Sequence, residues 1–347
     1  MILQFENKKP PAAIRASPLA AAAAALVHLG QELQRSNYSF VTPTQATIEL
    51  VNSRTGNLRA RSLADVFGWN REFNPTLIPV AILSAMRDAG VLAESGNGLR
   101  STLRVASLGK QLYFHSAHSA HPAPSAARAG PGGGLDTVSF GPDTYRFARQ
   151  LRSCVPALAG RVTRCIDLGC AAGAGAIALA CMCPSASVHA VDAHPAALAL
   201  TRVNALLAHA TAVLPEYSDM LANVDGTFDL IVAHPPFVVD DAAPAARHGA
   251  AALAAALPLA VVNAAIGRLA PGGTLLLYTA TGIVDGVDQL GEEAARRLGR
   301  AGLAMSYDEI DPDISGAALG KPAYAGLDRI AAVWLTATKP ASHHVYW

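Results

Sequence analysis

The stretch Cys165-Ile166-Asp167-Leu168-Gly169-Cys170-Ala171-Ala172-Gly173-Ala174-Gly175 starts as an apolar strand, crosses a turn of small residues and continues into a helical pattern. Small side chains allow the backbone to approach a ligand closely, and the following helix offers unpaired N–H groups and the positive end of its dipole. We therefore expect a nucleotide, or the carboxylate of a cofactor, to bind at this turn.

One alternative for the turn is a nicotinamide dinucleotide site, because Gly173 to Ala178 matches the G-x-G-x-x-A pattern. The strand, however, ends at Leu168, so the turn begins at Gly169, four residues before that match. Read from the end of the strand, the loop is Asp167-x-Gly169-x-Ala171-x-Gly173. This loop resembles the first motif of class I S-adenosylmethionine (SAM) dependent methyltransferases, with alanine at the middle position where glycine is usual.

Two later segments resemble the same family and follow in the expected order. Ser187 to Val191 is an apolar strand that leads into Asp192, 23 residues after Gly169, about where a doubly wound fold places an acid on the ribose hydroxyls. Phe228 to Ala233 is another apolar strand, and the turn after it, His234-Pro235-Pro236-Phe237, resembles the N/D-P-P-Y/F motif of amino-group methyltransferases. A nicotinamide enzyme does not explain this Pro-Pro-Phe turn.

The resemblance implies that the protein binds SAM, either as a methyl donor or as the substrate itself. It implies that Asp167 and Gly169 lie near the methionyl part of SAM. Asp192 is then expected on the ribose and Asp219 near the adenine amine. The residues implied in cofactor binding are Asp167, Gly169, Cys170, Ala171, Gly173, Asp192, Ala193, Asp219 and His234. For Asp167 the alternative is a structural role as a cap of the turn.

The candidates for catalysis are His234, Tyr145 and Phe237. The sulfonium of SAM is already activated, so the protein mainly has to hold a nucleophile in line and to remove or withhold a proton. A histidine cannot reproduce the hydrogen bonds that Asn or Asp gives an amide at this place, but a neutral imidazole can take a proton from an amine. Aromatic faces can stabilise the sulfonium. The structural alternatives are that His234 caps the turn and that the aromatic rings only pack.

Three functions are compatible with these residues. The first is methyl transfer to a small molecule, or to an amine or other heteroatom acceptor. The second follows from a similarity in layout to azetidine-2-carboxylate synthases, in which the α-amine of SAM attacks its own γ-carbon and methylthioadenosine leaves. The third is a non-catalytic SAM-binding regulator whose N-terminal domain reads DNA.

Alternating strands and helices predict an α/β fold, with a doubly wound, mainly parallel, Rossmann-like seven-stranded sheet. A stretch rich in Ser, Ala, His, Pro and Gly divides the chain. The predicted parts are an N-terminal accessory domain over residues 1–115, a linker over 116–136 and a SAM-binding catalytic domain over 137–347.

The accessory domain is predicted to be a smaller α+β unit with a winged-helix-like or otherwise compact arrangement. Helices are expected over Leu63–Trp69 and Ile78–Ala89, followed by two short strands over Leu99–Val105 and Lys110–Phe114. In SAM enzymes such a domain more often caps the active site or mediates dimerisation, so a homodimer is one expected partner state.

Composition and charge narrow the classes of partner. The formal net charge of +1 gives no general electrostatic reason to bind nucleic acid. The five cysteines have no zinc-type pair spacing and are expected to be reduced thiols in a cytoplasmic protein. No apolar run is expected to span a membrane. The expected substrate is therefore a small molecule.

No metal site is expected from the histidines. His115, His118 and His121 recur at every third residue, but they fall at the predicted linker, where side chains need not point the same way. His343 and His344 lie near the C-terminus.

Overall fold

The computed structural model describes residues 18–117, 138–237 and 247–341, apart from Lys321 and Ala325. Most of the predicted linker at 116–136 lies outside the described residues, as do His118, His121, His343 and His344. The described N-terminal unit combines helices with two β-hairpins. Its elements are α1 (Pro18–Ala21), α2 (Ala23–Arg35), α3 (Gln45–Asn52), α4 (Val80–Asp88), β1 (Leu92–Ser95), β2 (Gly98–Ser101), β3 (Leu103–Leu108) and β4 (Gln111–Ser116).

The N-terminal unit has two hairpins where the sequence pattern predicts one. The strand predicted over Leu99–Val105 is interrupted at Thr102, so that β1 pairs with β2 and β3 pairs with β4, both antiparallel. At this break the Ser101 hydroxyl donates a hydrogen bond to the Leu103 carbonyl at 2.5 Å. His115 is a buried residue of β4 and not a linker residue, and its ring stacks on Phe140.

The C-terminal unit is built around one large sheet. Its elements are α5 (Pro142–Cys154), β5 (Arg164–Leu168), α6 (Ala174–Met182), β6 (Ser187–Asp192), α7 (Pro195–Leu207), β7 (Val213–Tyr217), β8 (Phe228–Ala233), α8 (Arg247–Arg268), β9 (Leu269–Val284), β10 (Val287–Asp288), α9 (Gln289–Arg300), β11 (Ala304–Asp311) and β12 (Arg329–Thr338).

The strand order is β11-β12-β9-β8-β5-β6-β7, with the short β10 paired to β9. Neighbours from β9 to β7 are parallel, and β12 is antiparallel to both β9 and β11. The prediction of a doubly wound, mainly parallel α/β sheet is therefore confirmed, but the short β10 brings the number of strands to eight and not the predicted seven. Its central strands are apolar on both faces because helices cover both.

Two buried clusters lie on opposite faces of the sheet. Leu151 of α5 and Leu200 of α7 belong to the first cluster, together with Val232 of β8. Val262 of α8 belongs to the second cluster, together with Ile231 of β8. Successive residues of one strand point to opposite faces, which explains why these two neighbours enter different clusters.

The N-terminal unit packs on α7 and shares the first buried cluster. Gly30 of α2 lies so close to α7 that a Cβ there would come within 2.6 Å of Leu207 Cδ2. The side chain of Asn204 on α7 joins the edge of β4: its Nδ2 donates to the Phe114 carbonyl at 3.0 Å, and its Oδ1 accepts from the Phe114 N–H at 2.8 Å. The two units are thus joined by apolar packing and by paired hydrogen bonds.

Candidate cofactor and acceptor site

The register of the parallel strands brings the predicted site together at one edge of the sheet. Leu168 at the end of β5 lies opposite Val191 of β6 and opposite Ala233 of β8. The loop that begins at Gly169 is therefore flanked by Asp192 on one side and by His234 on the other. In an open α/β sheet, this carboxyl edge is where ligands bind.

The Gly169–Gly173 loop adopts the left-handed backbone conformation three times. The φ angles are +73° at Gly169, +47° at Ala171 and +82° at Gly173. The first and last are easy for glycine, but a Cβ makes the middle one unfavourable. At Gly169 a Cβ would meet no atom within 4 Å, so the backbone there faces open space. This exposed backbone before the N-terminus of α6 fits a cofactor that approaches the loop closely.

Asp192 is hydrogen-bonded to the loop backbone. Its Oδ2 accepts from the Ala171 N–H at 3.0 Å, and its Oδ1 accepts from the His194 N–H at 2.9 Å. The Asp192 carbonyl also accepts from the Ser218 N–H at 3.2 Å, which places Asp219 beside the same strand end. The side chains of Ala193 and Asp219 are exposed. These positions are compatible with the predicted ribose and adenine roles.

Asp167 lies beneath the loop and is only 2 % exposed. Its Oδ2 accepts a hydrogen bond from the Ala176 N–H in the first turn of α6 at 2.8 Å. The pKa of Asp167 is raised to about 7. Burial is the largest cause, the charge of Asp192 acts in the same direction, and the hydrogen bond from Ala176 acts in the opposite direction. A Cβ on Gly175 would lie 2.6 Å from Asp167 Oδ2, so only glycine leaves room there. These contacts of Asp167 match a structural role as a cap of the turn.

Cys170 contributes its backbone to the turn while its side chain is buried. The Gly169 and Cys170 N–H groups both donate to the Val191 carbonyl, at 2.9 and 3.0 Å. The Cys170 Sγ lies 3.4 Å from Thr201 Oγ1. Burial raises the pKa of this thiol well above its ordinary value, so it is not a nucleophile.

His234 is held among aromatic rings. Its ring centroid lies 5.4 Å from that of Phe147 and 4.9 Å from that of Tyr278, the latter edge to face. Burial lowers the pKa of His234 to about 4, and Asp143 acts in the opposite direction. The imidazole is therefore neutral near pH 7 and has a lone pair with which to accept a proton.

A polar group that sequence reasoning did not identify lies beside His234. The Tyr278 hydroxyl donates to Asp143 Oδ1 at 2.6 Å. Arg146 bridges two acids: Nη1 donates to Asp143 Oδ1 and Nη2 donates to Asp311 Oδ2, each at 3.1 Å. Asp311 is thus paired with Arg146. Tyr278 lies at the end of an apolar stretch in β9, which gave no signal of a polar role.

A cavity of about 320 Å³ opens at His234, between the N-terminal unit and the sheet. Phe237 lines it, and the Phe237 ring stacks on Tyr324 at 6.0 Å. The described lining is Thr42, Pro43, Thr44, Gln45, Ile48, Arg104, Ser139, Phe140, Gly141, Pro142, Asp143, Thr144, His234, Pro235, Pro236, Phe237, Tyr278, Ala280, Ile314 and Ser315.

Tyr145 lies next to this lining, and its hydroxyl is occupied by a structural contact. The Tyr145 Oη accepts a hydrogen bond from the Thr42 N–H at 2.9 Å, and the ring meets Phe140 edge to face at 5.5 Å. Burial raises the pKa of Tyr145, while the hydrogen bond from Thr42 lowers it. In this arrangement Tyr145 positions the N-terminal wall of the cavity.

Among the residues that the structure describes, no group of three His, Cys, Asp or Glu side chains is placed to hold a metal ion. Within the same residues, no helix is both long enough and apolar enough to cross a membrane.

Part of the chain is similar to known proteins. Residues 148–283 match the family described as Methyltransferase small domain. The chain is 39 % identical over 126 residues to a release factor glutamine methyltransferase of Deinococcus radiodurans, covering 33 % of this chain and 44 % of the relative. It is 33 % identical over 197 residues to the release factor glutamine methyltransferase of Bordetella pertussis, covering 51 % of this chain and 63 % of the relative. The chain thus spans less than two thirds of either relative.

Among solved structures, the chain is similar to TYW2 of M. jannaschii in complex with AdoMet, with 12 % identity and a TM-score of 0.44. That similarity covers 71 % of this chain and 91 % of the other. The family match agrees with the resemblance to SAM-dependent methyltransferases seen in the sequence and with SAM as the cofactor. The comparisons give no support to the azetidine-2-carboxylate synthase alternative.

Proposed function

We propose, from the premise that residues 148–283 form a class I methyltransferase small domain, that this chain transfers a methyl group from SAM to a heteroatom held beside His234. The ends of β5 and β8 are adjacent, so His234 lies next to the Gly169 loop and also lines the 320 Å³ cavity. The cofactor loop and the acceptor cavity therefore meet at this residue.

Different residues bind SAM and accept the proton of the acceptor. Bound SAM supplies a methyl group on a positively charged sulfur. The exposed backbone at Gly169 and the N-terminus of α6 fit its methionyl part, and Asp192 and Asp219 fit its ribose and adenine. His234, kept neutral by its surroundings, accepts the proton that an amine or hydroxyl acceptor loses on methylation. Phe147 and Tyr278 hold the imidazole in place.

The acceptor class follows from the residue at position 234. An Asn or Asp at the start of the Pro-Pro turn can pair with the N–H groups of an amide, whereas a neutral imidazole offers one acceptor nitrogen. That chemistry suits an amine or hydroxyl of a small molecule better than an amide. The second candidate acceptor is a protein glutamine, and it is favoured by the names of the two relatives.

The test is product analysis after incubation of the purified protein with SAM and each class of acceptor. A small-molecule amine or hydroxyl acceptor should give S-adenosylhomocysteine and a methylated product, detected by mass spectrometry. His234→Ala should lower the rate by roughly 10²- to 10⁴-fold, as expected for loss of a general base. If the wild type itself methylates a glutamine-containing release factor peptide, the second candidate is correct. Methylthioadenosine together with a four-carbon cyclic amino acid from SAM alone would instead demonstrate self-cyclisation.

A further inference from the structure

Arg104 of β3 is buried in the wall of the acceptor cavity without an acidic partner. The side chain is 1 % exposed, and its Nε donates to the Gly68 carbonyl at 2.8 Å. Its Nη2 has no hydrogen-bond partner among the described residues, and none of the ion pairs between described residues includes it. A buried and unpaired charge is strongly unfavourable, so it calls for a reason.

The groups around Arg104 leave its charge without a counter-charge. Burial lowers the pKa of Arg104 to about 10, while the nearby Tyr38 and Tyr145 act in the opposite direction. The group therefore stays charged near pH 7. The Tyr38 hydroxyl is already used, because it donates to the Val105 carbonyl at 2.7 Å. A carboxylate suits a charged and unpaired guanidinium, because its two oxygens can accept two parallel N–H hydrogen bonds.

Two further polar atoms in the same cavity also lack partners among the described residues. They are Thr42 Oγ1 and Gln45 Oε1. Thr42 is only 2 % exposed, and the Gln45 Nε2 is held by Glu49 Oε1 at 2.8 Å. In a cavity that is also lined by a guanidinium, a hydroxyl can donate to a carboxylate, and an amide oxygen can accept from an N–H or O–H group of the same ligand.

We propose that Arg104, with the Thr42 hydroxyl, binds the free carboxylate of the methyl acceptor, so that the substrate is a small amino or hydroxy acid. The inference rests on the proposed methyltransferase function and adds the substrate class to it. The carboxylate is anchored on the wall formed by β3 and Thr42, and the heteroatom to be methylated lies toward His234. A glutamine inside a protein chain lacks such a carboxylate, so this site discriminates against it.

SAM also carries a carboxylate, and the position of Arg104 assigns the site to the acceptor. Arg104 belongs to the N-terminal unit, and the described lining of its cavity includes no residue of the Gly169–Gly173 loop. The experiment must nevertheless separate the two sources. Titration of SAM into wild type and into Arg104→Met by calorimetry does so, because the proposal predicts SAM affinities that agree within about twofold.

The acceptor arm uses the free L-amino acids and the corresponding L-hydroxy acids, each compared with its carboxamide, in the presence of S-adenosylhomocysteine. At least one free acid should bind wild type roughly ten- to a hundredfold more tightly than its amide. Arg104→Met should abolish that preference. Thr42→Val, which removes a hydroxyl at nearly constant shape, should weaken the same acid. Arg87→Met, an exposed arginine of α4, is the matched control and should bind as wild type.

The outcomes are distinguishable. If Arg104→Met binds SAM about tenfold more weakly than wild type does, the carboxylate belongs to the cofactor and the proposal is overturned. If no acid in the panel is preferred over its amide while SAM still binds, the proposal is also overturned, but the methyltransferase function stands. If wild type does not bind SAM, the proposed function itself fails. Thr42→Val also keeps the test valid should Arg104→Met not fold.

Discussion

The carboxamide of Asn204 pairs with both backbone groups of Phe114, as a neighbouring strand would. The same Nδ2 also donates to the Ala172 carbonyl in the cofactor loop at 2.9 Å. One buried side chain on α7 therefore connects the N-terminal hairpin with the loop that follows β5. This connection determines how the wall that carries Arg104 is placed relative to the cofactor.

Asn204→Ala should destabilise the protein by about 2–4 kcal/mol, because it leaves three buried backbone groups without partners. Urea unfolding followed by circular dichroism measures the change. The matched control is Asn223→Ala, whose side chain is exposed and should change stability by less than about 0.5 kcal/mol. Equal stabilities of Asn204→Ala and wild type would show that the paired bonds do not join the two units.

Ala171→Gly should stabilise the protein by roughly 0.5–1 kcal/mol. The φ angle of +47° is unfavourable for alanine, and its relief exceeds the entropy that glycine adds to the unfolded chain. Ala193→Gly is the comparison, since Ala193 is not among the described residues with positive φ. That variant should lose stability instead. A loss at both positions would contradict the inferred strain in the loop.

Asp167→Asn should remove a pH dependence from the free energy of unfolding. The pKa of Asp167 is raised to about 7 in the folded protein, so the folded state retains its proton more strongly than the unfolded state does. This contribution to stability is complete below about pH 4 and is lost as the pH rises through about 7. Relative to wild type, the variant should therefore be more stable at about pH 8 than at about pH 5. Urea unfolding at both pH values tests this, with the exposed Asp225→Asn as the background control.

His234 should remain neutral well below the ordinary range of histidine. Burial lowers its pKa to about 4, so its contribution to stability is present above about pH 6.5 and is lost as the pH falls toward 4. The acid limb of kcat/KM should likewise fall near pH 4. Titration of the histidine ring carbons by NMR measures the pKa, and the missing signal in His234→Ala assigns it. A value near 6.5 would contradict the packing described for this ring.

Tyr145→Phe separates a catalytic role from a positioning role. Loss of the hydroxyl leaves the Thr42 N–H without its partner, at a cost of about 1 kcal/mol. We expect a higher KM for the acceptor and a kcat within about twofold of wild type. A fall in kcat of about 10²-fold or more, with KM unchanged, would assign Tyr145 to the chemistry instead.

The sequence predicts the sheet because each of its signals is local. Apolar strands that end in Gly169, Asp192 and His234 indicate parallel strands with their ends together, and the register confirms this juxtaposition. The acceptor cavity depends instead on contacts between distant residues. Thr42 meets Tyr145, and Tyr278 meets Asp143, across more than a hundred residues, and no spacing rule predicts such pairs.

The sequence does not indicate a functional role for Arg104, for a related reason. Within Leu103-Arg104-Val105 it lies in an alternating strand, where a charged residue ordinarily faces solvent. Both faces of β3 are instead covered, and all six residues of that strand are buried. Only the packing of the two units reveals a guanidinium inside the protein.

The most direct test of the proposed methyl transfer is whether the purified protein binds SAM and transfers its methyl group. SAM labelled in the methyl group with ¹³C should be converted to S-adenosylhomocysteine when a carboxylate-bearing amine or hydroxyl acceptor is supplied, and the label should appear on the acceptor heteroatom. Protein that binds no SAM in calorimetry, or that releases methylthioadenosine from SAM alone, would contradict the account.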